Sequence, residues 1–306
     1  MKRRRFWTVL LFIAFLAAPG ATARTPAPAG APGAGAPPEP SEPWLAAARH
    51  IAARPQHVVR SAHALFFAVG RFPKGYVERL DADFERRIFP RVTELLGRTP
   101  VLPVTVRLYD SRDALRDGLL QEGISVDEVD DEIFAVQGET IGGTIHILAD
   151  DPSYDLSGVL AHELAHTVLA SLDIPDMSAW LNEAVATEVE MRVHDGAADT
   201  PGGRAFLEAE RDDVLSAAHR GGFRRLPLDA AAYYGLLSSY PVEQQSHLIF
   251  QIFLQRYGWD GLEKLLRAQE EGYVDTATAF PAVFGLSEEA FVRAAEDELR
   301  RGLHLR

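Results

Sequence analysis

A chain of 306 residues, 47% hydrophobic and 25% charged, can bury a sizeable core, so neither a disordered nor a fibrous protein is expected. Its formal net charge of −13 repels phosphate backbones and anionic lipid, which excludes nucleic acid as an expected partner. There is no cysteine, so disulfides and thiolate metal ligands are excluded, and any metal must be held by histidine and carboxylate.

In chain order, residues 1–23 read as an export signal. Lys2 to Arg5 are basic, Phe6 to Ala18 are apolar, and Ala21-Thr22-Ala23 fits a cleavage site that leaves Arg24 first. The apolar run is short for a bilayer span and closes at Pro19-Gly20, although a retained N-terminal anchor is the alternative. No later stretch is apolar and long enough to cross a bilayer, so the mature chain is expected to be exported, periplasmic or secreted, without a stable span. Residues 24–43, rich in proline, alanine and glycine, carry almost no large apolar side chain and read as an extended linker. Folding is expected to begin near Trp44.

Between about 55 and 150 the pattern mixes strand and helix. Residues 57–69 and 104–110 alternate in part and carry β-branched or aromatic residues, as half-buried strands do. The stretch 75–97 is helix-like, with an interruption or restart at Pro90. Ser111 is placed to cap a short helix, and 133–148 reads as two strands around a glycine turn. From about 151 to 306 the segments are all helix-like. The expected class is α+β: a strand-bearing N-terminal lobe, a helical C-terminal lobe, and a cleft between them suited to a site.

The chemistry concentrates in "GVLAHELAHTVLASLDIPDMSAWLNEAVATEVE", residues 158–190. Residues four apart share a helix face, so His162 and His166 can offer their rings to one ion. Glu163, one step round, stands near that ion without competing for it and can take a proton from an attacking water. Two ligands are too few, since a catalytic zinc takes three from the protein and keeps an open position. A third histidine at short fixed spacing is excluded because Leu169 and Leu172 stand there. Glu183 follows seventeen positions after His166, past a turn at Pro175, and completes a two-histidine, one-carboxylate set, with Glu188 next in line. The bland alternative is an amphipathic helix burying His-Glu-His without a metal, which leaves polar groups in need of partners.

"HELAH" followed by "WLNEAVA" resembles the gluzincin metallopeptidases, most closely the peptidase MA-like family of exported bacterial proteins. Residues 245–258 and 279–299 resemble the family's later helix and C-terminal segment. The resemblance implies a zincin-like domain over 44–306, Zn2+ held by His162, His166 and Glu183, Glu163 as general base, and a peptide or protein substrate. It also implies that the strand near Thr144 to Leu148 lines the cleft and pairs with an extended peptide. The chain departs from the family in three places, of which Ala184, where the family usually has glycine, suits a helix and is harmless. Thr187 stands where related enzymes put an aspartate to orient the first histidine, and Glu243 stands where the family tends to have tyrosine. Tyr240 is therefore the candidate to stabilise the oxyanion, followed by Tyr234 and His247. The expected function is hydrolysis of peptide bonds; the alternative is a non-catalytic zinc-bearing binding or scaffold protein on the same fold. The acidic run 127–132 lacks the glycine and closing glutamate of a calcium loop and reads as a solvated turn. His57, His63, His146, His194 and His219 have no spacing partner and read as surface or core residues.

Overall fold

The computed structural model describes residues 57–124, 137–172, 174 and 176–305. The export signal, the linker, the start near Trp44, the acidic run 127–132, residues 133–136 and Pro175 lie outside them.

The first strand-like stretch is two strands rather than one. β1 (His57–Arg60) turns through residues 61–63 and pairs antiparallel with β2 (Ala64–Val69). β2 leads into α1 (Tyr76–Asp83), a π-helical turn (Phe84–Ile88) and α2 (Phe89–Leu96). Pro90 does not break this stretch. It lacks the N–H that would continue the ladder, and the helix widens just before it, with the Phe89 N–H donating five residues back to the Phe84 carbonyl.

β3 (Val104–Tyr109) runs parallel to β2, and α3 (Arg112–Gln121) follows, capped as expected by Ser111, whose hydroxyl accepts from the Ala114 N–H. β4 (Gly138–Ile141) and β5 (Thr144–Leu148) form a hairpin through Gly142 and Gly143, with φ of 56° and 81°. Only glycine takes such angles without strain, which suits a two-residue turn between twisted strands. The sheet order is β1-β2-β3-β5-β4, with β5 parallel to β3. β5 is thus paired on both sides, and its backbone has no edge to offer an extended peptide. β4 is the outer strand at that end of the sheet, as β1 is at the other, among the described residues.

Alternation divides the sheet into two buried faces. Phe66, Val106, Leu108, Ile145 and Ile147 point into the main core, while Val69, Tyr109 and Leu148 meet Leu115 and Leu119 of α3 in a smaller one. The rest of the chain is helical: α4 (Ser157–Ala170), α5 (Ala179–His194), α6 (Pro201–Gly221), α7 (Ala230–Tyr234), α8 (Val242–Gly272), α9 (Thr276–Phe284) and α10 (Glu288–Gly302). α8 is two helices joined at Gly258, whose φ of 65° lies outside the helical region. The protein is therefore a mixed α/β structure, with a five-stranded sheet in the N-terminal part and helices after it. Among the described residues no helix is long and apolar enough to cross a membrane.

α4 is buried on every side, packed against α2, the π-turn, β4, β5 and α5. A helix in that position is expected to be apolar all round, and this one is, apart from Ser157, Thr167 and the His162, Glu163 and His166 of the motif. α5 lies between α4 and α8, so it too is enclosed.

Candidate metal centre

Four polar side chains on these two enclosed helices need an explanation. His162, Glu163, His166 and Glu183 are each no more than 2% exposed. One helical turn stacks the two imidazoles of α4, with ring centres 4.8 Å apart. The second turn of α5 faces them. Glu183 Oε2 then lies 3.7 Å from His162 Nε2 and 3.5 Å from His166 Nε2.

A ligand atom from each of the three lies within 4.8 Å of the others, and this is the one such set of histidines and acids among the described residues. Tetrahedral ligands about 2.0–2.1 Å from zinc stand about 3.4 Å apart, close to what is seen here. Neither His162 Nε2 nor Glu183 Oε2 has a hydrogen-bond partner, although both are buried. Burying such atoms unpaired costs about 1–3 kcal/mol each, a cost that a shared cation would offset.

The far side of each ring carries an acceptor. Glu190 Oε2 is 3.2 Å from His162 Nδ1, and Asn182 Oδ1 is 3.2 Å from His166 Nδ1. An acceptor there keeps the proton on Nδ1 and turns the Nε2 lone pair towards Glu183, the arrangement a metal-binding imidazole requires. Burial pulls the His162 basicity down, but Glu183 and Glu190 outweigh it and hold the ring well above its ordinary pKa. Burial would raise Glu183, yet the two imidazoles keep its carboxylate ionised and its pKa below the usual range. The set can therefore hold a divalent metal, and loading one is expected to release protons.

Glu163 sits beside this group. The Thr140 hydroxyl of β4 donates to its Oε2 at 2.8 Å, while Oε1 is buried and has no hydrogen-bond partner. Burial raises the Glu163 pKa against the pull of His162, His166 and Thr140. Space for this carboxylate comes from Gly138, where an added Cβ would stand 2.8 Å from Oε1 and 2.7 Å from the Val159 Cγ1. Tyr234, on α7, donates its hydroxyl to Glu183 Oε1 at 3.1 Å.

Three expectations change. The Tyr240 hydroxyl donates to Gln245 Oε1 at 2.5 Å and its ring lies under Arg224, so Tyr234 is the tyrosine that reaches the group. Thr187 donates to the Glu183 carbonyl of its own helix, and the orienting acceptor for His162 is Glu190, one turn further on. Glu188, the reserve ligand, is held instead by His247 and Arg192, and His247 is enclosed between Glu188 and Glu210.

Sequence reasoning missed Asn182, Glu190 and Thr140. Glu190 was open to it, since seven residues make two helical turns and put it on the face of Glu183. Asn182 is adjacent to a named ligand but differs from it in direction by one helical step. Thr140 reaches Glu163 only through the pairing of the sheet, and nothing local marks it. Of the solitary histidines, His57 and His63 pair with Glu78 and Glu85, His194 with Asp155 and Asp195, and His146 with Tyr109. No family model matches this chain, and no curated protein matches it significantly.

Proposed function

We propose that this chain is an exported zinc metallopeptidase with a zincin-like fold, in which His162, His166 and Glu183 hold Zn2+. The observation that carries the reading is the convergence of those three side chains, each imidazole backed at Nδ1, with a carboxylate beside them that is not a ligand. Export rests on the character of residues 1–23.

Bound there, zinc supplies a Lewis acid that acidifies a water and polarises a peptide carbonyl. The chain's own residues do the rest. Glu163, with Oε2 occupied by Thr140, uses Oε1 to take a proton from the attacking water and hand it to the leaving nitrogen. Tyr234, whose hydroxyl reaches Glu183, would donate to the oxygen on which negative charge develops. An extended peptide would pair with the outer strand β4, whose Thr140 holds the base Glu163 of α4. Glu163→Gln is expected to abolish cleavage of a peptide library while zinc stays bound; substantial remaining turnover refutes the base assignment.

One observation favours a second reading, a zinc-bearing binding protein without turnover. Glu163 is fully enclosed, and the ligands are almost fully so. The same library digest, run with and without chelator, separates the two: chelator-sensitive cleavage supports the peptidase, and zinc content without cleavage supports the binder.

A further inference from the structure

The two histidines of the candidate centre are alike in the sequence motif and unlike in the structure. His166 has a neutral acceptor at Nδ1, the Asn182 amide oxygen, and His162 has a charged one, the Glu190 carboxylate. A hydrogen bond to an ionised acceptor is roughly twice as strong as one between neutral groups, and it passes more electron density to the opposite nitrogen.

A second, independent feature makes room for this contact. Gly158 lies one turn before His162 on α4, where the helix faces α5. A Cβ there would meet Glu190 Cγ at 3.3 Å, Glu190 Oε1 at 3.4 Å and His194 Cβ at 3.5 Å. Glycine within a helix costs about 1 kcal/mol relative to alanine. Here an added methyl would press on Glu190 Cγ by a few tenths of an ångström, so the glycine lets the Glu190 side chain lie closely against α4. The turn that would otherwise orient His162 is occupied differently, because the Thr187 hydroxyl is turned back to the Glu183 carbonyl.

We propose that Glu190 is the positioning residue for His162, holding the ring through a carboxylate that Gly158 admits, and that the two histidines are consequently unequal ligands. This rests on the reading of His162, His166 and Glu183 as a metal site and is independent of whether the site is catalytic. Glu190 touches neither substrate nor metal; it acts through the ring, fixing its tilt and keeping its proton on Nδ1.

The test is zinc affinity, measured by competition with a chromophoric chelator on the full chain stripped of metal. Glu190→Ala is expected to weaken zinc on the order of 10–100-fold, the usual effect of removing such a partner, with Glu190→Gln in between because its amide oxygen still accepts. Asn182→Ala is expected to cost less than Glu190→Ala. Melting of the metal-free proteins is measured alongside, and Co2+ is used as a spectroscopic probe, its visible bands shifting in Glu190→Ala if the His162 geometry changes. Unchanged affinity with a lowered melting temperature makes Glu190 a packing residue and overturns the proposal. Equal losses for Asn182→Ala and Glu190→Ala overturn the inequality. A wild-type chain that binds no zinc overturns the metal reading itself, and is thereby distinguished from a chain that binds zinc equally well without Glu190.

Discussion

His247 offers the sharpest test of the packing around the centre. It is fully buried on α8, with Nε2 2.9 Å from Glu188 of α5 and Nδ1 2.7 Å from Glu210 of α6. Arg192 and Gln251 complete the surroundings of Glu188, and the Phe206 ring lies edge-on to the imidazole. Burial alone would lower the ring's pKa, but the two carboxylates outweigh it and push it up to about 10 from an ordinary 6.5. Between those values the folded chain keeps a proton that the unfolded chain has lost. Its stabilisation is therefore complete below pH 6.5 and disappears as pH rises through 10. Each pH unit in that window is worth about 1.4 kcal/mol, so the proton contributes about 5 kcal/mol, of which about 4 is lost by pH 9.5. His247→Gln removes the cation that two buried carboxylates share, although Glu188 keeps Arg192, and is expected to cost about 3–5 kcal/mol near pH 6.5. Urea unfolding of the metal-free wild type and of the variant, at pH 6.5 and 9.5, should show that gap nearly closing in alkali. A gap of constant size across the range would refute a protonated His247.

Further outcomes concern the residues around the base and its tyrosine. Tyr234→Phe is expected to lower kcat about 100-fold or more with little change in KM, whereas Tyr240→Phe should show no comparable loss, and steady-state kinetics on one peptide decides between them. Thr140→Val removes the hydrogen bond to Glu163 Oε2 and is expected to cost about 1–3 kcal/mol in transition-state stabilisation, read as kcat/KM, with Thr140→Ser retaining most of the activity. Gly138→Ala forces a methyl against Val159 and Glu163 and should destabilise the fold by about 1–3 kcal/mol in urea, with activity falling as well.

The grouping of His162, His166 and Glu183 was legible because its logic is local. Four residues return a helix to the same face, and a second helix after a short turn brings back a carboxylate, so His162, His166 and Glu183 can be named from spacing alone. The hairpin at Gly142-Gly143 and the Ser111 cap were legible for the same reason. Harder positions depend on packing between distant segments. Whether Tyr234 or Tyr240 faces Glu183 is decided by the short helix α7 and the turn after it, which leads Tyr240 to Gln245. Which strand is outermost depends on β4 folding back beyond β5, and a hairpin reads the same whichever of its arms lies outside. Residues 57–69 misled in a simpler way, since an alternating run looks alike whether it is one strand or two joined by a tight turn.

The later helices, which carry no motif, hold the centre in position. α4 contributes His162, His166 and Glu163, and it is clamped between the sheet and α5. α5 contributes Glu183, Asn182 and Glu190, so the site is as well defined as the position of α5. That position is fixed from the C-terminal side. The Trp180 indole N–H donates to buried Glu288 at the start of α10, and the Ser178 N–H donates to Thr276 at the start of α9. Five residues beyond Glu183, Glu188 is tied to α8 and, through His247, to α6. A shift of α5 by a fraction of an ångström would spoil the tetrahedral spacing of three side chains on two helices, and these polar contacts resist it at both ends of the ligand-bearing stretch. Helices that read from the sequence as an anonymous bundle are thus the reason that a carboxylate on one helix can meet two imidazoles on another.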